Sequence, residues 1–134
     1  MTLVLPNQGE QITLEALVGK TAGQNLKLKL FKSNTTPAEA DTEATYTEAD
    51  FTGYAEITLT AANWTYTAGA PGHVDYAQQT FTSSAGSQSQ SVYGYYLTQV
   101  TSAKLVWVER FSDGPYVIVN NGDAIKVTPV ITLE

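Results

Sequence analysis

The most regular pattern in this chain is a short alternation of apolar and polar residues. Leu26, Leu28 and Leu30 alternate with two lysines, which is the period of two that a half-buried β-strand requires. Other strand-like runs follow at residues 54–60, 64–67, 74–82, 91–100, 104–111, 116–119 and 125–133. The chain is therefore predicted to be all-β, with about eight short strands that form a β-sandwich of jelly-roll type.

Residues that favour turns separate these runs. Residues 83–90 are rich in Ser, Gly and Gln and are predicted to join runs 74–82 and 91–100 as a hairpin. The segment from Asn120 to Asp123 contains the Asn-Gly pair that favours a tight hairpin turn, so the chain is expected to reverse there. Pro129 lacks an amide donor and predicts a sheet edge or a bulge.

Residues 8–18 fit two periods. Three apolar residues could line one face of a helix, whereas Ile12 and Leu14 alternate as in a strand. Glu10 near the start suits the helix dipole, and Gly19 resembles a C-terminal stop. We therefore predict a short N-terminal helix over this segment.

Two segments are predicted to lie outside the strands. Residues 1–7 form an N-terminal arm in which Leu3, Val4 and Leu5 are expected to be exposed. Residues 33–50 contain Pro37, several threonines and five acidic residues with few large apolar groups, which predicts a long acidic surface loop.

The amino-acid composition suits a β-sheet protein, and the net charge and hydropathy argue against nucleic-acid binding and a membrane span. The chain has 134 residues, nineteen threonines, eight tyrosines and no cysteine, and β-branched and aromatic side chains suit a pleated, half-buried surface. Its length and the absence of a repeat or a linker predict a single domain over residues 1–134. The net charge of −6 argues against nucleic acid as a partner. No run is apolar and long enough to predict a membrane span or a signal peptide, so we expect a soluble chain.

Candidate catalytic groups are few. His73, the one histidine, lies two residues before Asp75, and the pair could face together on a strand. A triad also requires an activated nucleophile, and no Gly-x-Ser-x-Gly elbow presents one. Glu56 and Glu109 are the carboxylate pair to examine for glycoside hydrolysis, although solvent-facing positions on a sheet explain both.

Metal and cofactor sites are also not predicted. One histidine without cysteine does not make a zinc site, and the acids of residues 33–50 lack the spacing of a calcium-binding EF-hand loop. No glycine-rich phosphate loop precedes a helix. We expect a protein that binds through its surface and has no enzymatic activity.

Aromatic residues offer a different kind of site. Tyr93, Tyr95, Tyr96, Tyr66 and Trp64 could stack on sugars, because aromatic rings provide contact area at small conformational cost. Alternation predicts that Tyr93 and Tyr95 share one face of a strand while Tyr96 lies on the other. Tyrosine is equally common in sheet cores, so carbohydrate binding stays an alternative.

Two stretches resemble small virion proteins of tailed bacteriophages. Residues 25–60 contain Leu-Lys-Leu-Lys-Leu-Phe-Lys-Ser-Asn-Thr-Thr-Pro, followed by Tyr-Thr-Glu-Ala-Asp-Phe-Thr-Gly-Tyr. The second stretch, residues 93–126, begins within the sequence Val-Tyr-Gly-Tyr-Tyr, whose valine is Val92. It continues with Lys-Leu-Val-Trp-Val-Glu-Arg-Phe and Gly-Pro-Tyr. These sequence motifs are features of a fold and not of a catalytic site.

The resemblance implies a capsid decoration, or cement, protein. Such a protein binds the outside of the phage head and bridges neighbouring major capsid subunits, so we expect assembly in the host cytoplasm and a place on the virion exterior. Lattice symmetry favours a trimer. If the resemblance holds, Leu3, Val4 and Leu5 of the N-terminal arm and the acidic loop of residues 33–50 are expected to form the contact surface with the capsid. The alternatives are a carbohydrate-binding module and a structural module of the phage tail or connector.

Overall fold

Strand pairing organises the chain into one large and three small antiparallel sheets. The computed structural model describes residues 2–133. Its elements are β1 (Thr2–Val4), α1 (Asn7–Leu17), β2 (Leu26–Phe31), β3 (Ile57–Leu59), β4 (Thr65–Thr67), β5 (Gly72–Asp75), β6 (Gln79–Thr82), β7 (Gln90–Val92), β8 (Gly94–Gln99), β9 (Leu105–Arg110), β10 (Tyr116–Ile118), β11 (Ala124–Val127) and β12 (Val130–Leu133). The five-stranded sheet has the order β1-β9-β8-β2-β3, and the smaller sheets are β10-β7, β11-β6 and β12-β5-β4. The all-β prediction is confirmed, while the jelly-roll arrangement stays a prediction.

The apolar core lies on one face of the five-stranded sheet, which we call the core face. Leu28 of β2 pairs with Leu97 of β8, which pairs with Trp107 of β9. These three side chains are buried together with residues of β6, β7, β10 and β11. Burying one leucine contributes about 1.5–3 kcal/mol, so this face is the main source of stability. The small β6-β11 and β7-β10 sheets form the layer that closes it.

The opposite face of the same sheet, which we call the loop face, carries a smaller cluster. Lys29 of β2 pairs with Tyr96 of β8, which pairs with Val108 of β9. Phe31, Tyr46, Tyr96, Leu105 and Val108 form this second buried cluster. Because successive side chains of a strand alternate between faces, one sheet supplies both cores.

The predicted N-terminal helix is present as α1 and lies against β9. Gly9 makes this approach possible, because a Cβ at position 9 would overlap the backbone carbonyl oxygen of Val106. The Gln8 side chain accepts a hydrogen bond from the Leu105 amide at 3.0 Å. Ile12 packs on the core from the same helix. The helix therefore covers the β1-β9 end of the core face.

The predicted hairpin between residues 74–82 and 91–100 is wrong. Each run breaks into two strands, and β6 pairs with β11 while β7 pairs with β10. β8 lies between β2 and β9. A turn-rich segment indicates where a strand ends. It does not indicate the next pairing, because that depends on which strands, distant in sequence, bury their apolar side chains together.

The turn at Asn120 to Asp123 also joins strands of different sheets. Gly122 has a φ of 91°, and the Asp123 carboxylate accepts hydrogen bonds from the amides of Val119 and Asn120 at 2.8 and 2.7 Å. The turn chemistry was predicted correctly. The strands that it connects, β10 and β11, pair with β7 and β6 rather than with each other.

Candidate binding surfaces

The predicted contact residues Leu3, Val4 and Leu5 do not lie in a free arm. Met1, where the predicted arm begins, is outside the described residues. β1 forms an edge of the large sheet, with Leu3 opposite Glu109 and Val4 opposite Val108. All three side chains are half-buried, Leu3 and Leu5 against the main core and Val4 against the second cluster. The expectation that they are exposed was wrong, because an apolar run of this length gains more from joining a sheet edge than from solvation.

The acidic loop, residues 33–50, closes the loop face of the sheet. It has no strand, and its one regular element is a short 3-10 turn at Glu43–Thr45. Tyr46 stacks on Tyr96 with ring centroids 5.5 Å apart and lies 4.9 Å from the ring of Phe31. The loop therefore contributes an aromatic side chain to the buried cluster, which its polar composition did not indicate.

Lys29 of β2 forms ion pairs with two glutamates of this loop, Glu43 and Glu48. Its Nζ lies 2.5 Å from Glu43 Oε1, 3.7 Å from Glu48 Oε2 and 3.5 Å from Glu56 Oε2. Burial alone would lower the pKa of Lys29, but the hydrogen bond to Glu43 and the negative charges of Glu48 and Glu56 outweigh it, and its pKa lies above the ordinary value. An almost fully buried lysine is therefore kept charged by three carboxylates.

Buried Tyr46 and half-buried Tyr54 add hydrogen bonds to the acidic loop. The Tyr46 hydroxyl donates to Asp41 at 2.6 Å. The Tyr54 hydroxyl donates to Glu48 at 2.7 Å and accepts from the Leu30 amide at 3.2 Å. Burial, followed by the hydrogen bond to a carboxylate, raises the pKa of both phenols. These contacts satisfy acids that would otherwise be free on the surface.

The two segments predicted to bind a partner lie side by side. The Asn7 amide, just after β1, donates to the Glu39 carbonyl at 2.9 Å. Arg110 at the end of β9 donates to the Thr35 carbonyl at 2.8 Å and to Asn34 Oδ1 at 2.7 Å, and its guanidinium lies 5.1 Å from the ring centre of Tyr93. β1 and the start of the acidic loop thus form one continuous surface at the edge of the large sheet.

The candidate catalytic residues do not form a common site. His73 and Asp75 share β5, with His73 Nε2 and Asp75 Oδ1 3.8 Å apart. Glu56 pairs with Lys27 at 2.5 Å on the loop face, and the Lys27 hydrogen bond is the main cause of its lowered pKa. Glu109 lies opposite Tyr95 in the sheet and accepts a hydrogen bond from its hydroxyl. Tyr95 belongs to the core-face cluster, so Glu109 lies on the core face. The two glutamates are therefore on opposite faces of the sheet and cannot act as a pair.

The aromatic candidates have separate roles. Tyr95 and Tyr96 are buried on opposite faces as predicted, but Tyr93 packs with the Tyr96 cluster rather than with Tyr95. The reason is that the chain leaves strand geometry at Tyr93, between β7 and β8. Trp64 packs edge-on against Trp107 at 5.7 Å, whereas Tyr66 is 68% exposed.

Residues 2–133 contain no group of three or more His, Asp or Glu side chains that could hold a metal ion. No helix within this part of the chain is long and apolar enough to cross a bilayer. Searches against protein-family models, curated proteins and solved structures returned no match to this chain.

Proposed function

We propose that this chain is a non-enzymatic capsid decoration protein of a tailed phage. In this role it binds the outside of the head and bridges neighbouring major capsid subunits, with a trimer as the expected assembly. The observation that carries the proposal is spatial. The two stretches that resemble phage virion proteins supply β2, β8 and β9, which are adjacent strands of the large sheet, together with the acidic loop over that sheet.

Charge supports the same role. The described ion pairs and hydrogen bonds engage Lys20, Lys27, Lys29, Lys32 and Arg110 within the chain. With a net charge of −6, the outer surface is acidic and suits basic patches on a capsid exterior. Contacts repeated over a shell add through multivalency, so a small surface on each copy is sufficient.

The first experiment is to measure the copy number and position of the protein in purified virions, by quantitative mass spectrometry followed by imaging. A copy number comparable to that of the major capsid protein, with density on the head, is the expected result. A few copies at the tail would favour the tail or connector alternative. Absence from the particle would overturn the virion role altogether.

A second experiment tests the surface formed by β1 and the loop. Glu39 is exposed at this surface and Asp113 is exposed in the turn before β10. Glu39→Lys should weaken binding to heads that lack the protein, and the matched change Asp113→Lys should leave it unchanged. If both variants bind the heads equally well, the capsid contact must lie on another surface of the protein.

The carbohydrate-binding alternative predicts a different result. Exposed Tyr66 is the ring best placed to stack on a sugar. Binding of the protein on a glycan array, lost in Tyr66→Ala, would favour that alternative over the decoration role.

A further inference from the structure

A groove separates α1 from the small β12-β5-β4 sheet. Its volume is about 510 Å³, and side chains of both elements line it. Leu5, Val106 and Trp107 line it from the α1 and β9 side, and Tyr66, Val74 and Ile131 from the small sheet. Ligand-binding clefts in proteins span roughly 300–1,000 Å³, so this space is large enough for one or two large side chains.

The groove continues along the helix. A second depression of 350 Å³ is lined by Leu5, Glu10, Thr13 and Leu14, and it shares Leu5 and Thr13 with the first. Leu14, Leu17 and Val18 are 62%, 79% and 75% exposed. Their spacing places them along one side of α1, so an apolar stripe leads into an apolar groove. Contiguous exposed apolar surface of this kind marks an interaction site.

Charge at the groove indicates the kind of partner. Glu10 lines the second depression, and His73 lines the groove beside the small sheet. Asp75 lies outside both linings, with its Oδ1 3.8 Å from His73 Nε2. Among the described residues, no lysine or arginine lines either depression. Lys20 lies beyond the helix and is paired with Glu15 at 3.0 Å, and the charge of Lys104 also acts on Glu15. The groove is apolar, and the formal charges nearest to it are the carboxylates of Glu10 and Asp75.

These carboxylates argue against a second copy of the chain as the occupant. A two-fold contact would bring the same surface of both copies together. The carboxylates of Glu10 and Asp75 in one copy would then lie close to the same carboxylates in the other copy. A partner with a positive charge beside its apolar group gains attraction in the same place.

We propose that the groove between α1 and the β12-β5-β4 sheet binds a partner segment that combines a large apolar side chain with an adjacent lysine or arginine. The apolar side chain lies between Val74, Trp107 and Ile131. The basic side chain lies near Glu10 or Asp75. This binding site is independent of the virion role.

The test is an NMR titration of the full chain with two minimal probes, N-acetyl-leucyl-arginine amide and N-acetyl-leucyl-glutamate amide. The arginine probe should shift the amide resonances of residues that line the groove, with an affinity about two- to fivefold higher than that of the glutamate probe, as expected for an exposed charge pair. Equal affinity for both probes would overturn the charge assignment.

Two variants of α1 locate the binding. Thr13 is exposed and lines both depressions, so Thr13→Arg fills the groove without disturbing the core and should abolish the shifts. Gln11 is exposed on the same helix outside the groove, so Gln11→Arg adds the same charge and should leave binding unchanged. Unchanged shifts in Thr13→Arg would overturn the groove as the site. Concentration-dependent shifts of the same resonances without a probe would identify a second copy as the occupant instead.

Discussion

The two faces of the five-stranded sheet are closed by different kinds of interaction. The core face is covered by apolar side chains of the small sheets and α1. The loop face is covered by residues 33–50, held by Lys29, by tyrosine hydroxyls and by a few aromatic rings. A polar loop can therefore close a sheet when its acidic side chains pair with a buried lysine and with tyrosine hydroxyls, because each polar group taken from water then has a partner.

The largest expected effect is alkaline unfolding, which tests both faces together. Burial is the main cause of the raised pKa of Tyr95 and Tyr54, which pack with the core-face cluster, and of Tyr46 and Tyr96 on the loop face. A raised phenol pKa stabilises the fold fully below the unfolded value of 10.0 and this stabilisation is lost as the pH rises above it. Each such tyrosine lowers the free energy of unfolding by up to about 1.4 kcal/mol per pH unit there.

The measurement is the tyrosinate absorbance near pH 11, followed together with circular dichroism. These phenols should ionise only as the chain unfolds. If they ionise reversibly while the circular dichroism spectrum stays native, the burial of the tyrosines is contradicted.

The next largest effect is expected on the core face. Leu97 is fully buried, so Leu97→Ala leaves a cavity and should lower the free energy of unfolding by about 2–5 kcal/mol. Urea denaturation followed by tryptophan fluorescence measures the change. A loss below about 1 kcal/mol would mean that the core face is not the main source of stability.

A smaller and more local effect is expected on the loop face. Lys29→Met keeps an unbranched apolar side chain but removes the cation that Glu43, Glu48 and Glu56 share. We expect a loss of about 1–3 kcal/mol, below the full cost of a buried unpaired charge, because the carboxylates are about one-third exposed and can turn toward water.

Hydrogen exchange separates this local effect from general destabilisation. Amides of residues 41–50 should exchange faster in Lys29→Met while those of β8 and β9 stay protected. Uniform acceleration over the whole sheet would show that the two faces are not closed independently.

The smallest effect is expected for Lys32→Met. Lys32 pairs with Asp50 at 2.6 Å, but the Asp50 side chain is 66% exposed. An exposed pair contributes about 0–1 kcal/mol, so this variant is the matched control for Lys29→Met. A loss equal to that of Lys29→Met would mean that burial does not distinguish the two lysines.

Local patterns predicted the individual elements well and their partners poorly. The alternation in β2, the continuous apolar run in β9 and the helical signals around α1 all correspond to observed elements. The hairpin between residues 74–82 and 91–100 failed because β6 and β7 each bury more by pairing with the C-terminal strands β11 and β10. Such pairings join residues far apart in sequence, where no local signal exists.

The candidate surfaces show the same division. Composition indicated an acidic loop, but not that Tyr46 would enter a buried cluster or that Lys29 would hold three carboxylates. Leu3, Val4 and Leu5 were recognised as apolar, but their place at the edge beside β9 depends on β9 having an unpaired side.

The sequence by itself determined an all-β chain with one N-terminal helix, an acidic surface and no disulfide, because residue period, charge and cysteine content are local properties. Tertiary structure alone decided which strands are neighbours, which face of the large sheet each small element covers, and where the apolar groove beside α1 opens. The physical reason is that burial depends on surfaces brought together from distant segments, and the approach of α1 to β9 at Gly9 exists only after both elements have formed.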